Sequence, residues 1–496
     1  MAVIVGRPRS PLHGQSGRIG LAMDPINVAE RLGRWSAGRG ALYALLAARL
    51  RCLIDDGELP PGTPLPPDRV LASTLAVGRS TVVAAYDLLQ SEGRIVRRQG
   101  SGTRVAGHPP TRPVDTTSAP VFLDLLEPRP DVIALACAAP DTPPVELTEC
   151  YARILPELAA TIGDIGYYPT GHPRLRHAIA EYYRSRGVPT AFEQVMVTTG
   201  GQQALSLLAR GLLQPGDHVL MESPSSPPAL EAFRAEAAVV QGLPPGLPGF
   251  AAAVREHRPA LAYVIPTFQN PTGSVLAPLA RRRLAETAAA AGVPLVEDEV
   301  LAELGFPGFS TPPPLAAHSA AVITVGSLSK TVWGGLRIGW IRAAAPIIAR
   351  LARIRAVHDL GGDVPAQLAA AELVPRLAAV CARLAPERQA RHDHLRAELA
   401  RLLPDWHVPA VTGGQTLWVR LPYGDGTSFA QAALRHGVAI LPGSGLDPNG
   451  GSADHIRVHF LHPPDILTEA ARRLTEAWRA YRPPARPAPA PPALAI

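Results

Sequence analysis

Between residues 40 and 106 the apolar positions recur at helical spacing. In ALYALLAARLRCLIDDGEL, Leu42, Leu45, Leu46, Leu50 and Leu53 fall on one face, which predicts an amphipathic helix. The following LPPGTPLPPDRVLASTLAVGRSTVVAAYDLLQSEG predicts two more helices around a tight turn at AVG. Asp68 is placed to cap the first and Ser80 the second, with Val82, Tyr86 and Leu89 on the buried face of the latter. RIVRRQGSGTRVAG then alternates like a short hairpin with a Gly-Ser-Gly tip. From about 131 to 482 the pattern changes. Apolar runs of strand length alternate with Ala/Leu-rich helical runs, which predicts an α/β fold built on a mainly parallel sheet. Three segments carry no periodicity: residues 1–32, the Pro/Thr-rich 108–130 and the Pro/Ala-rich 483–496. They predict a flexible N-terminus, a linker and a tail that forms no core. The expected division is therefore a small unit at 33–107 and a large one at 131–482.

Composition narrows the classes without choosing among them. With 47% hydrophobic residues in 496, a large core is available. A formal charge of +6 permits an acidic partner such as DNA without demanding one. Within 33–107 ten arginines stand against six acids, a weak excess. Cys52, Cys137, Cys150 and Cys381 show no CxxC pairing and suit free thiols in a reducing compartment. No apolar run approaches the ~18 residues of a membrane span, and the start lacks a signal-peptide core. A soluble, cytoplasmic protein with no membrane partner is expected. Among the 48 basic residues a single one, Lys330, is lysine. Arginine supplies charge equally well, but only lysine offers an amine that loses its proton and attacks a carbonyl.

In the small unit Arg79, Ser80 and Thr81 begin the third helix, where a recognition helix meets the major groove. Arg97, Arg98 and Arg104 flank the hairpin tip. The pattern alone fits a small helical domain that docks on protein nearly as well. The wording is more specific: G-x-L-x-P-G-x-x-L-P from Gly57, V-x-R-x-T-V from Val77 and GSGT from Gly100 occur in order. Residues 40–106 thus resemble the winged helix-turn-helix of GntR-type bacterial regulators. The resemblance implies operator DNA as a partner and sets Arg69, Arg79, Ser80, Thr81 and Gly102 at the DNA.

In the large unit four features fall at the ends of predicted strands, where open parallel sheets bind ligands. VMVTTGGQQAL puts Gly200 and Gly201 before a helix N-terminus, a place for phosphate. LAYVIPTFQNPTG ends in Asn270, an amide able to donate to a phenolic oxygen. PLVEDEV ends in Glu297, Asp298 and Glu299, where an acid beside a pyridine nitrogen would keep it protonated; a Mg²⁺ site is the other use of such a cluster. AVITVGSLSK ends in Ser327, Ser329 and Lys330, with the phosphate-suited fork of Arg337 seven residues on. An aldehyde, a phosphate, a phenolic oxygen and a ring nitrogen together describe pyridoxal 5′-phosphate, and no metal is then needed.

YYPTGHPRLRHAIAEYYRSRGV, VTTGGQQAL, NPTG, EDEV and SLSKTVWGGLRIGW resemble class I aminotransferases of PLP fold type I over about 131–480. The resemblance implies that Lys330 holds the aldehyde as a Schiff base, Asp298 pairs the ring nitrogen and Asn270 the ring oxygen. Ser327, Arg337 and the Gly200–Gly201–Gln202 turn hold phosphate, and Arg457 receives an α-carboxylate. Tyr167 or Tyr168 reaches a neighbouring subunit's cofactor, and Tyr168 is taken as the candidate site residue. The union of both resemblances is that of the MocR subfamily. It implies a homodimer, commonly head to tail, that senses the cofactor or a small amino effector. Two positions depart from the pattern: Ser226 stands where relatives stack an aromatic ring, and Val300 and Leu301 where they carry a tyrosine. Serine has no face to stack, and neither Val nor Leu donates a hydrogen bond. Cofactor binding with little or no transamination is expected. The alternative is a working aminotransferase with an accessory winged helix.

Overall fold

The structure, a computed structural model, describes residues 28, 31, 32, 35, 41–55, 58–98, 102–106, 131–160 and 163–483. Most of the expected N-terminal segment, the 108–130 linker, residues 99–101 of the hairpin tip and residues 484–496 of the tail lie outside these. The chain divides into two compact units, at Ala119 and Pro120.

The smaller unit runs α1 (Leu42–Asp55), β1 (Pro64–Leu65), α2 (Asp68–Thr74), α3 (Arg79–Ser91), β2 (Ile95–Arg98) and β3 (Gly102–Val105). The strands form an antiparallel sheet in the order β1-β3-β2, so the expected hairpin gains a third strand. Leu46, Leu50 and Leu53 of α1 bury against Leu71, Val82, Tyr86 and Leu89, and each such side chain contributes ~1.5–3 kcal/mol. Leu42 departs from the expected face, 44% exposed on the first turn. The expected caps also differ. Asp68 is the first residue of α2, preceded by Pro67, and its carboxylate accepts from Arg79 Nε at 2.9 Å. Ser80 is the second residue of α3, where Gly78 in an extended conformation opens the helix without a side-chain cap. In both cases an extended residue without a side-chain cap takes the cap position, Pro67 one place before the carboxylate and Gly78 two places before the hydroxyl.

The larger unit is built on a seven-stranded sheet. Its strands are β5 (Val195–Thr198), β6 (His218–Glu222), β7 (Val239–Leu243), β8 (Leu261–Val264), β9 (Leu295–Asp298), β10 (Ile323–Ser327) and β11 (Gly339–Arg342), in the order β5-β11-β10-β9-β8-β6-β7. The run from β10 to β7 is parallel; β11 is antiparallel to both neighbours. Alternate residues serve opposite faces. Leu220, Ala262, Val264 and Leu295 join one core; Val219, Met221, Tyr263 and Val296 join the other. Burial on both faces is why these strands read as continuous apolar runs. A parallel partner needs a long crossover, whereas the short connection from β10 to β11 returns the chain antiparallel and carries both Lys330 and Arg337.

A second, antiparallel sheet was not anticipated from the pattern. It orders β12 (Thr416–Arg420), β15 (His455–His459) and β14 (Leu441–Pro442) as β12-β15-β14 over a core that includes Phe429, Phe460 and Leu474. Beside it β4 (Ile133–Ala134) pairs in parallel with β13 (Val438–Ala439), so residues 133–138 lie against this sheet. No helix among the described residues is long and apolar enough to cross a membrane.

Candidate cofactor site and nucleic-acid surface

The carboxyl ends of β5, β6, β8, β9 and β10 share one edge of the large sheet, and a cavity of about 160 Å³ opens there. Lys330, Asp298, Asn270 and Arg457 line it together, with Ser226, Val300, Leu301, Gln415 and the Ala136–Ala138 segment beside them. None of its described lining residues is aromatic.

Lys330 Nζ donates to the main-chain oxygen of Ala138 at 2.5 Å. Burial, reinforced by the Arg457 and Arg337 charges, holds its amine below the usual lysine range, which favours the neutral, nucleophilic form. Asp298 is buried and accepts from the Tyr263 hydroxyl at 2.6 Å and the Val300 N–H at 3.0 Å. Burial pushes its carboxyl up, against the pull of those two donors and of Lys330. Its neighbours point elsewhere: Glu297 accepts from the N–H groups of Leu315 and Ala316, and Glu299 pairs with Arg186 at 2.9 Å. The three acids therefore do not converge on one point.

Arg457, on β15, donates to Asn270 Oδ1 at 2.9 Å and to the Ala136 oxygen at 2.6 Å; its Nε is buried without a partner among the described residues. Burial draws its pKa down to about 10. A desolvated guanidinium with a spare donor suits an anion.

Beside the cavity, Gly200 adopts φ +102°, and a Cβ there would stand 2.6 Å from Arg337 Nη2. That guanidinium is fixed by donating to the Thr199 oxygen at 2.6 Å. Only glycine combines this conformation with this approach. Gly201 opens helix α6 (Gly201–Leu212; α4, Val145–Ala160, and α5, Pro173–Ser185, precede it), and a Cβ on it would contact Val300 and Ser327. The helix N-terminus, Ser327 and Arg337 thus adjoin the cavity wall at Val300. Gln202 is exposed and donates to the oxygen of Pro228, a lining residue. Tyr168 stands outside the lining, its hydroxyl donating to Asp164.

These features fit pyridoxal 5′-phosphate on the structure's own terms. There is a glycine cradle that a Cβ would fill, an Arg457 donor orphaned among the described residues, and a buried acid that forms no ion pair among them. They fit the aromatic stack less well, because Ser226 is a serine in the wall and nothing described replaces it.

Sequence reasoning missed two residues here. Tyr263 is a hydroxyl inside an apolar strand, directed at Asp298. Gln415 precedes an apolar strand, and its Nε2 donates to the main-chain oxygen of Lys330 at 2.8 Å. The only local sign of either was a polar residue in an apolar setting.

In the smaller unit Arg69, Arg79, Ser80 and Gly102 are exposed and Thr81 is half-buried. Gly102 has φ +81° with open space where a Cβ would stand. Arg79 pairs with Asp68, and Arg97 with Asp87 at 2.5 Å. Exposed pairs of this kind contribute ~0.2–1 kcal/mol, so exchanging one for a DNA contact costs little.

The parallel sheet with a lysine between β10 and β11 defines the larger unit as a PLP fold type I domain. Residues 130–474 match the aminotransferase class I and II family, and residues 42–105 match the bacterial regulatory proteins of the gntR family. The HTH-type transcriptional regulator YisV of Bacillus subtilis is 29% identical over 89% of this chain and 99% of its own. The HTH-type pyridoxine biosynthesis transcriptional regulator PdxR of Corynebacterium glutamicum is 30% identical over 63% and 68%. Among solved structures, LysN, an α-aminoadipate aminotransferase of Thermus thermophilus complexed with N-(5′-phosphopyridoxyl)-L-leucine, superposes with a TM-score of 0.67 at 29% identity, covering 73% of this chain and 95% of its own. The chain belongs to the MocR subfamily, GntR-type regulators whose winged helix-turn-helix is joined to an aminotransferase-like domain. It is a DNA-binding transcriptional regulator, and pyridoxal 5′-phosphate is the cofactor of its larger domain.

Proposed function

We propose that this regulator senses a small amino compound through competition at Lys330. The observation that carries the reading is the convergence of the single lysine, the buried Asp298 and the orphaned Arg457 on one cavity. The bound cofactor supplies an aldehyde that amines condense with and a ring that withdraws electrons. Lys330 offers a desolvated amine to that aldehyde. Asp298, oriented by Tyr263, holds a proton at the ring nitrogen, and Asn270 donates to the ring oxygen. Gly200, Gly201, Gln202, Ser327 and Arg337 bind the phosphate, and Arg457 takes the carboxylate of the effector. An effector held at Arg457 would compete with the Lys330 amine for that aldehyde, and Lys330 would then stand as a free amine. That event shifts the regulator between states only because one state binds the effector better.

Arg69, Arg79, Ser80, Thr81 and Gly102 face operator DNA, in the cytoplasm where the chromosome is. The dimer is head to tail. Tyr168 serves the neighbouring subunit's cofactor, which accords with its position outside its own cavity. Ile165 (79% exposed), Tyr167 (63%) and Leu360 (43%) form an apolar surface around it, and Gly361 packs on the Tyr168 backbone.

The similarity to LysN favours a second reading, an active aminotransferase. The absence of an aromatic side chain among the described lining residues weighs against it, since a lost stack and a lost ring-oxygen donor each cost ~1 kcal/mol of cofactor affinity. An absorbance scan of the loaded protein with amino donors separates the two. The regulator reading expects a spectral change without accumulation of pyridoxamine phosphate; turnover at ordinary aminotransferase rates would overturn it.

A further inference from the structure

One group in the cavity wall has no task in the reading above. Gln415 is 3% exposed and stands directly before β12. Its bond to the Lys330 carbonyl fixes the amide's direction, because only the NH₂ end of an amide can meet a carbonyl oxygen. Oε1 must then face away from that carbonyl, and it is buried without a partner among the described residues. Native structures leave few buried acceptors unpaired, and those that remain call for an explanation. Gln415 lines the same cavity as Lys330 and Arg457. Arg457, which lines the same cavity, carries the complementary case at Nε, a buried donor without a partner among the described residues.

An unpaired donor and an unpaired acceptor in one wall specify the polarity of the missing ligand. The guanidinium asks for an anion and the amide oxygen for an N–H or O–H. We propose that Gln415 selects the effector, an amino acid whose side chain ends in a hydrogen-bond donor such as an amine or a hydroxyl. This rests on the reading that an amino compound condenses beside Lys330 and sets its carboxylate on Arg457. An aliphatic side chain leaves Oε1 buried against carbon. An acidic one sets acceptor against acceptor. Both penalties discriminate without any further contact, as sites built to bond a hydroxyl reject analogues that lack it.

The test uses the full chain loaded with pyridoxal 5′-phosphate and follows its visible absorption during titration. L-homoserine and L-2,4-diaminobutyrate are compared with L-norvaline, which has the same shape and no terminal donor. L-ornithine is compared with L-norleucine one carbon further out. At least one donor-bearing ligand is expected to bind ~10-fold tighter than its apolar match. Gln415→Met, checked for an unchanged thermal transition, is expected to erase that preference and leave the apolar ligands within about twofold of their wild-type affinity. Gln415→Glu retains an acceptor and is expected to keep the preference for diaminobutyrate. Equal affinities within each pair, or a preference that survives in Gln415→Met, overturn the assignment and leave the sensing at Lys330 intact. No spectral response to any of the five removes the sensing reading and this inference with it.

Discussion

In the smaller unit four of the five residues expected to face DNA are exposed, and Arg79 already holds a partner in Asp68, as Arg97 beside the hairpin tip does in Asp87. In the larger unit Asp298, Arg457 and Gln415 are withdrawn from water, and polar atoms of Arg457 and Gln415 are left without partners among the described residues. The contrast follows from what each ligand is. A DNA backbone is a large polyanion met at the surface, where weak exposed ion pairs exchange readily and the contact energy depends on salt. A small cofactor and its competitor must be enclosed. A low local dielectric strengthens each contact and makes each vacancy costly. One unit stores its specificity in arrangement, the other in unpaired buried groups.

The comparison breaks most visibly at Lys330. Lys330→Ala is expected to abolish covalent loading and the response to amino compounds while DNA binding on the chain's own promoter persists; a gel shift with and without effector checks this. Loss of DNA binding in that variant would mean that the units are not separable in this way. Next in size, Leu50→Ala in the smaller core is expected to cost ~2–5 kcal/mol. It should lower only one of two unfolding transitions in calorimetry and leave the cofactor band intact. Arg79→Ala should weaken promoter binding by ~1–3 kcal/mol and reduce its salt dependence, with no change in the absorption spectrum; fluorescence anisotropy at several salt concentrations measures both.

A separate effect concerns pH. His459 is buried in the larger unit, with Nε2 2.6 Å from the Ala134 oxygen and Nδ1 accepting from the Leu461 N–H at 3.1 Å. This arrangement requires the neutral ring, and burial, with His462, Arg457 and Lys330 adding, draws its pKa down to about 3. Unfolded, the ring takes up its proton near pH ~6.5. Its contribution is therefore complete above that pH and is lost as pH falls toward 3, with a slope of up to ~1.4 kcal/mol per pH unit. Denaturant titrations across that range should show the cofactor band's midpoint falling, and His459→Asn should flatten the fall.

Much of this site could be read from the chain because strand ends carry their chemistry in short motifs. Lys330, Asp298 and Asn270 each close an apolar run, and a parallel sheet must gather such ends on one edge. Arg457 came from resemblance rather than pattern, since β15 belongs to the antiparallel sheet that the periodicity did not separate from the parallel one. Gln415 and Tyr263 were illegible for a different reason. Their meaning lies in contacts across 85 and 35 residues, to Lys330 and Asp298, and no local pattern encodes such a distance. The caps expected at Asp68 and Ser80 fall one and two residues earlier, at Pro67 and Gly78, because the helices already begin at Asp68 and Arg79.

The central claim concerns one nitrogen atom. The direct measurement is to load the full chain with pyridoxal 5′-phosphate, reduce with borohydride, and map the modified peptide by mass spectrometry. The account predicts a pyridoxyl group on Lys330 in the wild type, prevented by prior saturation with an effective amino compound, and none in Lys330→Ala. A label at any other position, or an unlabelled chain that still carries the cofactor's visible band, would contradict it.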